Sequence, residues 1–178
     1  MPNRRARVLH TETLYQGNVF SMRQDRIVEP GGIEVTRDIV AHRGSVVVLP
    51  VFPDGSILLV RQYRHAIGTS LWELVAGRHE AGESRAAAAR RELIEETGYT
   101  ARRVKQILEI FPSPGFVTER MWIFAATGLR RGPAQPEEDE RITVRKFSLR
   151  ALEKMIRRGT LHDAKSVAGI LFYSRFLK

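Results

Sequence analysis

Between Gly77 and Tyr99 the chain reads GRHEAGESRAAAARRELIEETGY, and no other stretch restricts the possible fold as strongly. Ser84 is placed to cap a helix, Ala86 to Glu96 is almost wholly strong helix formers, and Gly98 ends the run. On 3.6-residue geometry Glu92, Glu95 and Glu96 stand at i, i+3 and i+4, so three carboxylates leave one side of the helix, with Glu83 in the preceding loop able to join them. Like charges at this spacing repel. Two readings are open: a solvated acidic face, or oxygen ligands gathered for a hard divalent cation such as Mg²⁺ or Mn²⁺, which leaves coordination positions for water and phosphate.

The full pattern is more specific than the acidic cluster. Gly77, five residues, Glu83, seven residues, then Arg91-Glu92-Leu93-Ile94-Glu95-Glu96-Thr97-Gly98 and an apolar position resembles the Nudix box. It departs only at the end, where Tyr99 replaces the usual aliphatic residue. Further segments resemble the branch of ADP-ribose pyrophosphatases and nucleoside diphosphate sugar hydrolases: Gln62-Tyr63-Arg64 closing a strand, Glu73-Leu74-Val75-Ala76-Gly77 leading into the box, and Pro114, fifteen residues beyond Tyr99. The resemblance covers residues 19 to 175.

This resemblance implies an α/β fold, the Nudix α/β/α sandwich with a mixed sheet, plus a small N-terminal antiparallel β-subdomain. The domain boundary is expected at Gly44, giving 1–44 for dimerisation and substrate contact and 45–178 for the hydrolase domain. Mg²⁺, with Mn²⁺ as a substitute, would be held by Glu83, Glu92, Glu95, Glu96, the carbonyl of Ala76 and Glu140. The general base would be Glu138 or a box-region glutamate, Glu95 among them. Arg91 would orient the glutamates by pairing with Glu83 or Glu95. Arg37, Arg61, Arg64, Glu73, Pro114 and Phe116 are the expected substrate contacts, because a diphosphate calls for forked cationic donors and a base or ribose for an aromatic neighbour. The implied reaction is hydrolysis of the diphosphate of ADP-ribose or a related nucleoside diphosphate sugar to a nucleoside monophosphate and a sugar phosphate. A GDP-mannose-type hydrolase uses the same box. The strands before residue 44 and Pro114 speak against an RNA 5′-pyrophosphohydrolase, and the intact box glutamates against a non-catalytic ligand sensor.

Composition agrees with a single catalytic domain: 178 residues, 43% hydrophobic and 28% charged. The chain has no cysteine, which excludes disulfides and thiolate metal sites. A net charge of +9 suits either a polyanion or small phosphorylated substrates. The arginines are scattered without interleaved aromatics, so a nucleic-acid platform is not expected. No stretch approaches the roughly 18 apolar residues of a membrane span, and the expected location is the cytoplasm. The histidines, at 10, 42, 65, 79 and 162, share no metal-ligand spacing.

Along the chain, Val19 to Val28 and Ile33 to His42 read as a hairpin around a type II turn at Pro30-Gly31. Such a hairpin is too small to stand alone, and a homodimer is expected. Ser45 to Phe52 and Ile57 to Tyr63 read as partner strands around Pro53-Asp54-Gly55-Ser56. Val104 to Phe111 and Arg120 to Ala126 bracket a Pro/Gly loop. The acidic stretch 132–141 reads as a surface loop carrying Glu138 and Glu140. A strand from Ile142 to Phe147 follows, then helices Leu149 to Arg158 and Ala164 to Phe176, the second capped by Asp163.

Overall fold

The computed structural model describes residues 5–132 and 142–178, so Glu138 and Glu140 lie outside the described residues. The chain divides into two compact units, Met1–Gly44 with Phe111–Arg120, and Ser45–Ile110 with Met121–Lys178.

The first unit is an antiparallel sheet of β1 (Arg7–Gln16), β2 (Phe20–Val28) and β3 (Glu34–His42), with β2 in the middle. β2 and β3 run in continuous register from Phe20 opposite His42 to Val28 opposite Glu34. Their connection is not the expected type II turn, which needs a positive φ at Gly31. Gly32 carries it instead (φ 86°), and its N–H donates to the Glu29 carbonyl at 2.8 Å. A tight turn followed by a left-handed glycine follows the twist of the flanking strands. β1 has no counterpart among the expected strands. Its register slips between Val8 and His10 and again between Thr13 and Tyr15, which destroys the two-residue alternation that marks a strand in sequence.

The Pro/Gly segment is more than a turn. Val40 N–H donates to the Phe116 carbonyl at 2.8 Å and Thr118 N–H to the Val40 carbonyl at 2.9 Å, so residues 116–118 pair with the outer edge of β3.

In the second unit the elements are β4 (Ser45–Pro50), β5 (Ile57–Arg64), β6 (Thr69–Glu73), β7 (Val75–Arg78), α1 (Arg85–Thr97), β8 (Tyr99–Ile110), β9 (Met121–Arg131), β10 (Thr143–Phe147), α2 (Leu149–Arg157) and α3 (Ala164–Phe176). A mixed four-stranded sheet has the order β7-β4-β9-β8, with β4 parallel to β9, and an antiparallel one the order β10-β5-β6. The expected β4–β5 hairpin does not form. Both strands are largely buried and each needs partners on two edges: β4 takes β7 and β9, β5 takes β6 and β10, and only Val51 and Ile57 bridge them.

β4 organises this unit because both its faces are covered. Val46 and Val48 pack with Ala88, Ala89 and Leu93 of α1, whereas Val47 and Leu49 pack with Leu152 of α2 and Ile170 of α3. All four β4 side chains are fully buried, worth roughly 1.5–3 kcal/mol each relative to exposure. Helices therefore cover both faces of the sheet, the α/β/α sandwich implied by the sequence. Among the described residues no helix is long and apolar enough to cross a membrane.

Candidate active site

The box is set by the strand, loop and helix β7, 79–84 and α1. Ser84 caps α1 by accepting the Ala87 N–H at 3.2 Å, and Gly98 closes it in the left-handed conformation (φ 70°). At the other end of the loop, Gly77 stands opposite Val46 in the sheet. Glu92 and Glu96 lie on the inward side of α1, 9% and 5% exposed.

Arg91 holds the acidic groups in one web. Its Nε and Nη2 each donate to Glu83 at 3.2 Å, and Nη1 donates to Glu92 at 2.7 Å and Glu95 at 2.9 Å. Nη2 also reaches the Arg78 carbonyl at 3.1 Å, tying the helix to the end of β7. Hydrogen bonding to Glu83 raises the guanidinium pKa far above its ordinary value; partial burial opposes this, and Glu92 and Glu95 add to it. The pairing anticipated with Glu83 or Glu95 thus engages both, and Glu92 as well.

The loop has a second anchor that cannot be read from sequence. His79 Nε2 bonds the Glu83 carbonyl at 2.8 Å, and the His79 ring meets the ring of Trp122 edge-on at 5.7 Å. Arg85 stacks over the same indole at 4.0 Å. Trp122 comes from β9, so only the folded sheet brings it under the loop.

Could this donor set hold a cation? Glu83, Glu92, Glu95 and Glu96 are hard oxygen ligands with one guanidinium among them, which leaves a net negative site of the right chemistry for a divalent ion. Among the described residues no three such groups converge on one point as they stand, since Glu83, Glu92 and Glu95 are turned to Arg91. The donor types fit a divalent cation; in the arrangement seen, three of the carboxylates are turned to Arg91, which offsets part of their charge. Ala76, the carbonyl donor expected beside them, lies on β7 opposite Val47 and packs on the core.

A second polar cluster joins β5, β6 and α3. The Glu73 carboxylate, 1% exposed, accepts from Arg64 Nε and Nη2 at 2.8 Å each, and from Lys165 Nζ. Lys165 also reaches Asp163 at 3.0 Å, and Asp163 caps α3 through Ser166. Burial pushes the Glu73 pKa up, but the Arg64 hydrogen bonds and Lys165 outweigh it and hold the carboxyl below its ordinary range. Arg64 is raised in turn, chiefly by Glu73, with a smaller contribution from the charge of Glu96.

The remaining expected contacts fall as follows. Arg61 is exposed on β5, opposite Trp72 and Thr143. Arg37 lies on β3, ion-paired with Glu29 and donating to the Thr36 carbonyl at 3.3 Å. Pro114 and Phe116 border a concavity of about 320 Å³ in the first unit, with Ile39, Phe111 and Arg120. The structure therefore brings Glu83, Glu92 and Glu95 together on Arg91, and joins Arg64 to Glu73.

A NUDIX domain matches residues 41–169. An ADP-ribose pyrophosphatase of Mycobacterium tuberculosis is 36% identical over 166 residues, covering 92% of this chain and 80% of the relative. One of Bacillus subtilis is 34% identical over 163 residues, covering 90% and 88%. A crystal structure described as an ADP compounds hydrolase superposes with a TM-score of 0.86 over 98% of this chain and 95% of that one; at 20% identity it speaks for the fold alone. The chain belongs to the Nudix family.

Proposed function

We propose that this Nudix pyrophosphatase hydrolyses the diphosphate bond of ADP-ribose or a closely related nucleoside diphosphate sugar. Water adds to one phosphorus, the bridging oxygen leaves on the other, and the products are a nucleoside monophosphate and a sugar phosphate. The observation that carries this reading is the web of Glu83, Glu92 and Glu95 on Arg91, in a chain whose relatives named above are ADP-ribose pyrophosphatases.

Glu83, Glu92, Glu95 and Glu96, with the Ala76 carbonyl and Glu140, would hold the divalent cation that Nudix hydrolases use. Mg²⁺, or Mn²⁺ in its place, supplies charge neutralisation for the diphosphate and a more acidic water. Glu138, or Glu95 within the box, takes the proton of the attacking water. Arg91 keeps the carboxylates oriented between turnovers. Arg64 has five N–H donors and Glu73 engages two groups of its fork, so the remaining donors would serve phosphate oxygens while a buried carboxylate holds the guanidinium. Glu73 therefore acts on substrate through Arg64. Arg61 and Arg37 would add phosphate contacts, and Pro114 and Phe116 would border the base or ribose.

The working unit is proposed to be a cytoplasmic homodimer. Supporting this, the first unit exposes Val8, Leu14 and Tyr15 on β1, and Val19 and Ile33 just before β2 and β3, each more than half accessible, on a surface that a second copy would cover. Light scattering should give twice the chain mass; a monomer at micromolar concentration would refute it.

A substrate panel with Mg²⁺ decides the chemistry: ADP-ribose, GDP-mannose, UDP-glucose, a diadenosine polyphosphate and capped RNA. ADP-ribose should be cleaved most efficiently, giving AMP and ribose 5-phosphate. Preference for RNA, or binding without cleavage of any compound, would overturn the reading.

A further inference from the structure

α1, β8 and β9 enclose a cleft of about 560 Å³ lined by Arg90, Arg102, Arg103, Val104, Thr127 and Gly128. A second concavity of about 320 Å³ adjoins it, sharing Arg102 and Gly128 and adding Thr100, Ala101 and Arg130. Among the described residues, four arginines thus line two hollows that share Arg102 and Gly128, and no acidic side chain lines either. None of the box glutamates belongs to them. We propose that this cleft is a second anion site, distinct from the box, that takes a small ligand carrying several phosphates.

Three features make it a built site rather than a run of surface charge. Arg90 is held by its hydrogen bond to the Ala101 carbonyl, which ties a guanidinium from the helix to the backbone of β8. Gly128 is in the left-handed conformation (φ 66°), and a Cβ there would come within 2.8 Å of the Arg102 Cβ. A side chain at 128 would press on Arg102 and fill the floor that the two hollows share. Finally, among the described residues β8 is an edge strand of its sheet, so Arg102 and Arg103 stand on a strand with one unpaired edge. Guanidinium forks match phosphate oxygens two at a time, and the larger hollow falls in the roughly 300–1,000 Å³ range of small-molecule sites. That size favours a compact oligophosphate over a long polymer.

The test is calorimetric titration of the full chain with inorganic tripolyphosphate, at low ionic strength and with chelator present so that the box takes no part. One equivalent per chain should bind. R102Q/R103Q should weaken binding by about tenfold or more, since each lost fork removes charge-assisted hydrogen bonds, whereas R157Q/R158Q, with the same change in net charge, should bind as wild type. Hydrolysis at the box should be unchanged in R102Q/R103Q, whatever substrate the box prefers. Wild-type affinity in R102Q/R103Q, or equal loss in both double variants, would overturn the proposal. So would affinity for single-stranded RNA that keeps rising with length beyond what the cleft can hold.

Discussion

The carboxylate of Glu92 lies against the α-carbon of Gly77: a Cβ built on Gly77 would come within 1.9 Å of Glu92 Cδ. The glycine that opens the box is therefore the space into which its first helical glutamate fits. Because the clashing atoms are the far end of a flexible side chain, Gly77→Ala should cost little stability, about 1 kcal/mol or less, while pushing that carboxylate off its position. Turnover should fall roughly a hundredfold, as expected for a catalytic group misplaced by about an ångström. Circular dichroism melts alongside steady-state kinetics would check it; unchanged kcat would mean that the position of Glu92 is not critical.

Chelation should abolish hydrolysis and Mg²⁺ or Mn²⁺ should restore it, because every expected ligand is an oxygen. Glu96→Gln should lower turnover by roughly two to four orders of magnitude, since the loss of a ligand impairs both charge neutralisation and water activation. Full activity in excess EDTA would exclude the mechanism.

Arg91→Ala leaves Glu83, Glu92 and Glu95 facing one another without their shared cation. Losing charge-assisted hydrogen bonds worth about 1.5–3 kcal/mol should lower Tm by roughly 3–12 °C in the absence of divalent ions. Saturating Mg²⁺ should narrow that gap, because the ion neutralises the same carboxylates. Thermal melts with and without Mg²⁺ measure this, and an unchanged gap would show that ion and arginine do not share them.

Glu73 gives the protein an acid-sensitive element. Its folded pKa lies below the ordinary value, so the folded chain holds fewer protons than the unfolded chain below about pH 4.3. The contribution is complete above that pH and is lost as pH falls through the folded pKa. Glu73→Gln leaves the buried Lys165 without that charge and should cost about 3 kcal/mol at pH 7. The difference from wild type should shrink as pH drops below about 4.3. Urea denaturation at a series of pH values tests the sign; a difference that grows in acid would contradict the assignment.

Much of this arrangement is legible in the sequence because it is local. The cap at Ser84, the stop at Gly98 and the spacing of Glu92, Glu95 and Glu96 need only helix geometry, and the structure places α1 within one residue of the expected ends at either side. What is set by distant parts of the chain is not legible. Nothing near Ile57 shows that β5 prefers β6 and β10 to β4, nothing near His79 shows that Trp122 lies beneath it, and Lys165 meets Glu73 across 92 residues of sequence. β1 is not legible for a different reason: its two register slips leave no periodicity to read.

The pairing of β3 with residues 116–118 has a consequence for synthesis. β1 to β3 leave the ribosome before residues 116–118 do, so the hydrogen-bonding groups of Val40 find their partners only after Thr118 has been made. Until then the nascent chain carries an open strand edge, a template on which another chain can pair. A strand made early is thus completed late, and crowding of nascent chains on one message threatens it at that edge.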